Sequence, residues 1–157
     1  MIDLIVHFCR TMLYVKKSKL PNAGKGLLTT SEIKKGEVVC EYEGEKITWK
    51  ECLKRNESQD GFGAYYFFVN NKNCVDAQHT VWALARYAND AAGFGRVKGL
   101  TNNCKYEVIK GKPYIVATRN LKAGDEVFVS YGKEYWNAIK DIFEKEKAKK
   151  GKEIKEK

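Results

Sequence analysis

The chain has 157 residues, of which 43% are hydrophobic and 12% aromatic, and it carries a formal charge of +9 at pH 7. This length and composition fit one folded domain with a modest core and exclude a disordered chain. No apolar run reaches the length of a membrane span, and the basic excess indicates either acidic partners such as nucleic acid or simply a well-solvated surface.

Short strands separated by turns dominate the predicted secondary structure, because eight segments alternate apolar and polar residues or are rich in β-branched and aromatic ones. These strands are predicted at residues 13–17, 26–29, 37–42, 65–69, 74–77, 106–109, 114–118 and 127–130. The turn at residues 110–113 predicts a hairpin. Many short strands with irregular connections predict a mostly β, knotted or barrel-like domain instead of a βαβ array.

Two short helices are predicted between and after these strands. Thr48 and Glu51 have the spacing of a capping box, which predicts a helix through Arg55. Trp136 and Ile139, with Phe143, stand at helical spacing and predict an amphipathic C-terminal helix.

The cysteines, at positions 9, 40, 52, 74 and 104, are scattered. Their number is odd, no C-x-x-C pair occurs, and the spacing matches no zinc site. The pattern predicts free thiols in a reducing, intracellular setting and no bound metal. The first ten residues lack the basic start and the cleavage site of a signal peptide.

Three motifs stand in a fixed order along the chain. Residues 22–27 read Asn-Ala-Gly-Lys-Gly-Leu, residues 85–90 read Ala-Arg-Tyr-Ala-Asn-Asp with Asn-Asn-Cys following at 102–104, and residues 123–132 read Ala-Gly-Asp-Glu-Val-Phe-Val-Ser-Tyr-Gly. Each motif alone is weakly specific. The glycines of the first motif lack a Cβ, so the backbone there can approach a ligand closely.

In this order and spacing the motifs resemble the SET domain, the fold of most protein-lysine methyltransferases. The resemblance implies a mostly β fold with short helices, in which small sheets surround a pseudoknot and a C-terminal helix follows. It implies an N-terminal extension at residues 1–12, a SET domain at 13–136, and a Lys/Glu-rich helix or tail at 137–157. It also implies transfer of a methyl group from S-adenosylmethionine to the side-chain amine of lysine in a protein substrate, with a histone tail as one candidate.

The resemblance implies a cofactor site drawn from all three motifs. Its residues are Gly24, Lys25, Gly26, Arg86, Tyr87, Asn89, Asp90 and Tyr131. Asn89 matches the asparagine of the family's Asn-His-Ser motif, while Asp90 and Ala91 replace its histidine and serine. The replacement is tolerable if the contact is made by the backbone, and it weakens the cofactor site if the histidine side chain matters. Residues 92–99 read as an inserted glycine-rich loop, and Cys104 as a buried thiol instead of a metal ligand.

The resemblance also implies a catalytic tyrosine, Tyr131, which either positions the substrate amine or assists its deprotonation. The implied lysine channel contains Tyr65, Tyr66, Val129, Tyr135 and Trp136. Counting back from the structural Asp76 favours Tyr65 over Tyr66, and strand alternation predicts that only one of them lines the channel. Val129 occupies a position that influences the number of methyl groups added. Trp136 either completes the channel or anchors the last helix in the core.

Two other functions remain open. A SET-fold binding module with weak or no transfer activity is suggested by Asp90 and Ala91, and a nucleic-acid-binding domain is suggested by the basic charge. The two histidines, His7 and His79, have no nucleophile motif around them, which argues against a hydrolase. The protein is expected to act as a monomer or homodimer inside the cell, in the cytoplasm or nucleus (or in a host nucleus if its source is viral or bacterial), away from membranes. One hypothesis places an acidic peptide groove at the following residues: Glu41, Glu43, Glu45 and Asp60.

Overall fold

The computed structural model describes residues 12–57, 65–137, 139–141 and 144–145, with only the backbone at residues 56 and 57. Its strands are β1 (Leu13–Lys17), β2 (Lys25–Thr29), β3 (Val38–Glu41), β4 (Glu45–Ile47), β5 (Tyr66–Asn70), β6 (Asn73–Asp76), β7 (Cys104–Ile109) and β8 (Lys112–Ala117). The helix α1 spans Trp49–Glu57 and a 3-10 helix spans Leu84–Tyr87. Residues 133–137, 139–141 and 144–145 are helical and are called the C-terminal helix below.

The described residues form three small antiparallel sheets. Their strand orders are β1-β2, β3-β8-β7 and β4-β6-β5. Short strands suit this arrangement, because antiparallel neighbours can be joined by tight turns. The predicted fold class, mostly β with short helices, is therefore confirmed. No helix among the described residues is long and apolar enough to cross a membrane.

The predicted hairpin joins β7 to β8 through a tighter turn than the sequence suggested. Lys110 and Gly111 both have positive φ angles, 50° and 77°. This is the backbone of a two-residue hairpin turn whose twist matches that of the flanking strands. Residues 112 and 113 consequently belong to β8 and not to the turn.

The predicted strand at residues 127–130 is wrong. This segment forms isolated bridges instead, pairing Glu126 with Leu28, Phe128 with Asn89 and Val129 with Cys104. Because each residue meets a different partner segment, no repeating ladder develops. The segment ties together the three motifs that lie far apart in the sequence.

The main core surrounds this bridging segment. Fully buried aliphatic residues come from β2, β3, β8, the turn after β8 and the segment itself, and they are Leu27, Val39, Ile115, Leu121, Val127 and Val129. Such close packing leaves the bridging segment little freedom. It therefore holds the following residue, Tyr131, in a defined place.

Helix α1 begins as the capping box predicts and is fixed to the sheet by Arg55. The Thr48 Oγ1 atom accepts a hydrogen bond from the Glu51 N–H at 3.2 Å. The Arg55 guanidinium donates to Glu51, to Glu45 and, at 2.8 Å, to the buried Asp76 carboxylate of β6. Asp76 thus has the structural role that was predicted for it. The C-terminal helix begins at residue 133, ahead of the predicted boundary at 136–137.

Candidate active site

A cleft of about 960 Å³ opens between the β1-β2 turn, β5, the 3-10 helix and the C-terminal helix. This volume lies in the range of small-molecule binding sites. The cleft is lined by most of the residues predicted for the cofactor and the lysine channel: Gly24, Lys25, Tyr65, Tyr66, Arg86, Tyr87, Asn89, Asp90, Tyr131, Tyr135 and Trp136. Gly26 and Val129 do not line it. The fold therefore brings the three sequence motifs together at one place.

The two glycines of the first motif have different roles. Gly24 has a φ of +68°, and a Cβ added there would meet no atom within 4 Å, so the backbone borders open space in the cleft. A Cβ at Gly26 would instead collide with the Glu126 carboxylate and lie 3.2 Å from the Ser18 Cα. The space beside Gly26 is thus filled by Glu126, and a contact of the Gly26 backbone with the cofactor stays a prediction.

Glu126 is a buried carboxylate that the sequence analysis did not single out. It is only 2% exposed. Its oxygens accept hydrogen bonds from the Ser18 hydroxyl at 2.6 Å, from the Lys19 N–H at 2.7 Å and, more weakly, from Asn89 Nδ2 at 3.4 Å. The signal available in the sequence was the acidic pair Asp125-Glu126 directly before the apolar run 127–129.

The side chain of Asn89 links the first motif to the second. Its Nδ2 atom donates to the Lys25 main-chain carbonyl at 2.9 Å, and the main-chain carbonyl of Asn89 accepts from the Val129 N–H at 2.9 Å. Asn89 therefore holds the β1-β2 hairpin against the bridging segment. This contact positions the backbone around the cleft.

Asp90 occupies the centre of a hydrogen-bond network. Its Oδ1 atom accepts from the Ala92 N–H and from Asn102 Nδ2, both at 2.8 Å. Its Oδ2 atom accepts from the Tyr131 N–H at 2.9 Å and from Trp136 Nε1 at 2.8 Å. Burial raises the pKa of Asp90, but its four hydrogen bonds, that from Trp136 foremost, together outweigh burial and hold the pKa below its usual value. Because protein donors occupy both side-chain oxygens, a contact between Asp90 and the cofactor would have to come from the Asp90 backbone, and it stays a prediction.

The hydroxyl of Tyr131 is fixed at the floor of the cleft. It donates to the Ala88 carbonyl at 2.7 Å. The ring stacks on Trp136 at 5.9 Å between centroids and meets Tyr135 edge-on at 5.0 Å. Burial raises the pKa of Tyr131 far above its usual value, so the phenol is neutral at physiological pH.

Comparison with known proteins agrees with this geometry. A family model described as the SET domain matches residues 24–132. The chain belongs to the SET-domain family. That finding confirms the resemblance seen in the sequence.

Several relatives of this SET domain carry names that state an activity. The chain is 28% identical over 128 residues to the N-lysine methyltransferase KMT5A-A of Xenopus laevis, covering 75% of this chain and 36% of that protein. It is 32% identical to KMT5A-A of Danio rerio, covering 69% and 32%. It is 32% identical to the histone-lysine N-methyltransferase Su(var)3-9 of Drosophila pseudoobscura pseudoobscura, covering 69% and 18%. The chain thus spans about a third or less of the length of these relatives.

Three aromatic residues of the SET domain cleft were missed by sequence reasoning. Tyr42, Phe67 and Tyr106 line the cleft and contact one another, with ring centroids 5.1 to 5.9 Å apart. Burial raises the pKa of both tyrosines well above the usual value. In the sequence each lies in or next to a short strand and resembles an ordinary core residue, so no local signal distinguishes it.

Tyr65 and Tyr66 both border the cleft of the SET domain, but their side chains have different surroundings. Which of them lines the lysine channel stays a prediction, with Tyr65 the favoured residue. The Tyr65 ring lies 4.3 Å from the Arg86 guanidinium carbon. Tyr66 packs instead against a small cluster with Ile47 and Cys74, where its hydroxyl is buried without a hydrogen-bond partner among the described residues.

Two further expectations concern Val129 and the acidic peptide groove. The Val129 side chain is fully buried in the main core and does not reach the cleft, because residues 128 and 129 pair with neighbouring segments. The acidic peptide groove stays a hypothesis, although two of its carboxylates are already paired. Glu41 pairs with Lys112 at 3.5 Å and Glu45 pairs with Arg55 at 2.7 Å, and neither lines the cleft. Asp60 lies outside the described residues.

The thiol of Cys104 is buried, as predicted, and burial raises its pKa to about 12. The described residues contain no group of three or more His, Cys, Asp or Glu side chains that could hold a metal ion. Cys40, Cys52 and Cys74 are also free and buried.

Proposed function

We propose that this protein transfers a methyl group from S-adenosylmethionine to the side-chain amine of lysine in a protein substrate. The observation that carries the proposal is the placement of Tyr131. Its hydroxyl donates to the Ala88 carbonyl. The same cleft is bordered by Gly24 and Asn89 and by an aromatic wall, formed by Tyr42, Phe67 and Tyr106. The relatives named as lysine methyltransferases support the same reaction.

The residues of the cleft fit the proposed cofactor. Gly24 leaves open space at the first motif, and Lys25 and Arg86 supply positive charge along the lining. Within the part of the chain that the structure describes, the Arg86 Nε atom is buried without a hydrogen-bond partner, so it is an available donor. Lys25 and Arg86 would hold the carboxylate of S-adenosylmethionine. When bound, that cofactor supplies an activated methyl group on a positively charged sulfur.

The aromatic wall addresses the main chemical difficulty of the reaction, which is that a lysine amine must be neutral to act as a nucleophile. A reference pKa of about 10.4 leaves roughly one amine in ~2,500 neutral at pH 7, which corresponds to about 4.6 kcal/mol. Burial among Tyr42, Phe67 and Tyr106 disfavours the charged form and lowers the pKa of a substrate lysine. The ring faces also accommodate the apolar stem and the cation.

Tyr131 has the properties of a positioning group in this reaction. Because burial raises its pKa, it does not form a phenolate that could take up the substrate proton at neutral pH. Its proton is directed to the Ala88 carbonyl, which leaves the oxygen lone pairs able to accept a hydrogen bond from the substrate amine. Holding the nitrogen in one direction lowers the entropic part of the barrier.

The structural role of Asp90 favours an enzyme over a binding module without activity. That alternative depended on the loss of the family's histidine, yet Asp90 is integrated by four hydrogen bonds. We further propose a histone tail as the substrate, an interpretation supported by the name of the Su(var)3-9 relative, and action within the cytoplasm or nucleus.

The test is transfer of labelled methyl from S-adenosylmethionine to purified core histones, compared between wild type and Tyr131→Phe. We expect label on lysine and at least a tenfold loss in the variant, since a positioning hydrogen bond in a buried site is removed. Tyr14→Phe, which removes a hydroxyl on β1 away from the cleft, is the matched control and should retain full activity. Equal activity of Tyr131→Phe and wild type would contradict the proposal.

A further inference from the structure

The C-terminal helix closes one side of the cleft through Trp136. The indole contacts three aromatic rings, those of Tyr131, Tyr135 and Phe94, at centroid distances of 5.1 to 5.9 Å. The inserted loop approaches the same ring closely, because a Cβ at Gly93 would collide with it. Tyr135 and Trp136 both line the cleft, so the placement of this helix sets the shape of that wall.

Asp90 supplies the polar contact that holds this ring. Trp136 Nε1 donates to Asp90 Oδ2, which also accepts from the Tyr131 backbone N–H, and donors from Ala92 and Asn102 occupy the other oxygen. All four contacts are N–H donors, and a carboxylate is an acceptor at both oxygens. An amide of the same size would turn an NH₂ group towards one pair of donors.

We propose that Asp90 is a positioning residue that docks the C-terminal helix on the cleft through the Trp136 indole, and thereby shapes the lysine end of the site. The assignment to the lysine end rests on the proposed function. Asp90 stands where the SET-domain motif has a histidine, so this anchor belongs to this chain's own departure from the motif. One carboxylate oxygen couples the backbone of Tyr131 to the Trp136 indole of the C-terminal helix.

Three variants separate this role from a general loss of structure. Asp90→Asn keeps the size of the side chain and removes the second acceptor. Trp136→Phe keeps one aromatic ring but removes the indole donor together with part of the ring's packing, leaving the bond between Asp90 and the Tyr131 N–H in place. Asp125→Asn is the matched control, because Asp125 Oδ2 likewise accepts a backbone N–H, from Lys122 at 2.8 Å, in an exposed turn far from this network.

The first readout is the indole N–H spectrum of the ¹⁵N-labelled full chain. The protein has three tryptophans, and Trp136→Phe assigns the signal of Trp136. In Asp90→Asn we expect the Trp136 signal to move upfield and its N–H to exchange with solvent at least tenfold faster. The signals of Trp49 and Trp82 should stay in place, and Asp125→Asn should match wild type. An unchanged Trp136 signal in Asp90→Asn, together with unchanged exchange of the helix amides in Trp136→Phe, would overturn the proposal.

If Asp90→Asn fails to fold, amide hydrogen exchange in Trp136→Phe decides the question. Loss of the anchor should make the amides of residues 133–137 and 139–141 exchange at least tenfold faster than in wild type, while those of β7 and β8 remain protected. Equal exchange of the helix amides in variant and wild type would overturn the proposal.

The second readout is functional. The Kd for S-adenosylmethionine, measured by calorimetry, should change less than threefold in Asp90→Asn and Trp136→Phe, while kcat/KM for core histones should fall at least tenfold. The double variant should be little worse than Asp90→Asn alone, because both changes break one contact. Additive effects, or an equal loss of cofactor affinity, would overturn the assignment to the lysine end. An inactive wild type would count against the proposed function alone, and the indole signal would still test the docking role.

Discussion

Replacing Glu126 with glutamine tests whether a buried carboxylate holds the cofactor side of the cleft together. Glu126 accepts the Ser18 hydroxyl at 2.6 Å and the Lys19 N–H at 2.7 Å, and it fills the space beside Gly26. Glutamine has almost the same size but only one accepting oxygen. The change therefore alters hydrogen bonding without creating a cavity.

The expected magnitude follows from these two short bonds. If the NH₂ group faces Lys19, two donors oppose each other. If it faces Ser18, the hydroxyl must turn, although its oxygen already accepts from the Leu20 N–H at 3.0 Å. Hydrogen bonds to charged groups contribute about 1.5–3 kcal/mol and an unsatisfied buried donor costs about 1–3 kcal/mol, so we expect a loss of about 2–4 kcal/mol in the free energy of unfolding.

Urea unfolding followed by circular dichroism measures this difference directly, and Tm should fall by about 6–12 °C. The matched control is Glu37→Gln, because Glu37 Oε2 accepts the Lys34 N–H at 2.8 Å in an exposed turn. We expect the control to lose less than about 0.5 kcal/mol, as surface substitutions usually do. A loss in Glu126→Gln no larger than in the control would refute the structural role of this carboxylate.

Three further predictions concern the glycines, a thiol and the pH profile. Gly26→Ala should cost about 1–3 kcal/mol of stability from overpacking against Glu126, and urea unfolding measures this loss. Gly24→Ala should cost about 1–2 kcal/mol of stability from its positive φ and should also weaken S-adenosylmethionine binding, measured by calorimetry. Equal cofactor affinity in Gly24→Ala and wild type would contradict the prediction for Gly24. Burial raises the pKa of the Cys104 thiol to about 12, so it should react with iodoacetamide at pH 8 at least a hundredfold more slowly in native protein than in urea. Peptide mass spectrometry measures both rates, and equal rates would show that the thiol is accessible in the native protein. The rate of methyl transfer should rise about tenfold per pH unit below the pKa of the substrate lysine, because only the neutral amine reacts. Ionisation of Tyr131 should not lower the rate below pH 10, because burial raises the pKa of this tyrosine. A rate that declines between pH 8 and pH 10 in stable enzyme would contradict this role of Tyr131.

Local features of this protein could be predicted from the sequence because their causes are local. Thr48 caps α1 through a contact three residues away, and the turn at residues 110–111 needs only its own backbone angles. The order of the three motifs was enough to indicate the SET-domain family, which the family match over residues 24–132 confirms. Tyr131 needed no structure to be singled out, since it lies within the longest motif.

The predicted strand at residues 127–130 shows where local patterns fail. Its alternation of apolar residues is typical of a strand, yet its residues and the preceding Glu126 pair with three different segments, so no ladder forms. Val129 therefore faces the core instead of the channel. An apolar pattern in the sequence indicates that a residue is buried, but not which neighbouring segment buries it.

The sequence by itself determined the fold class, the family and the set of motifs that meet at the cleft. Only the tertiary structure decided what individual side chains do there. Asp90 is bound by donors 41 and 46 residues further along the chain, Glu126 is bound by a hydroxyl 108 residues before it, and the aromatic wall comes from three separate strand regions. Such contacts depend on how distant segments pack, and a short stretch of sequence does not show that packing. From the sequence alone, Asp90 therefore indicates a cofactor contact, and Tyr42 and Tyr106 resemble ordinary core residues.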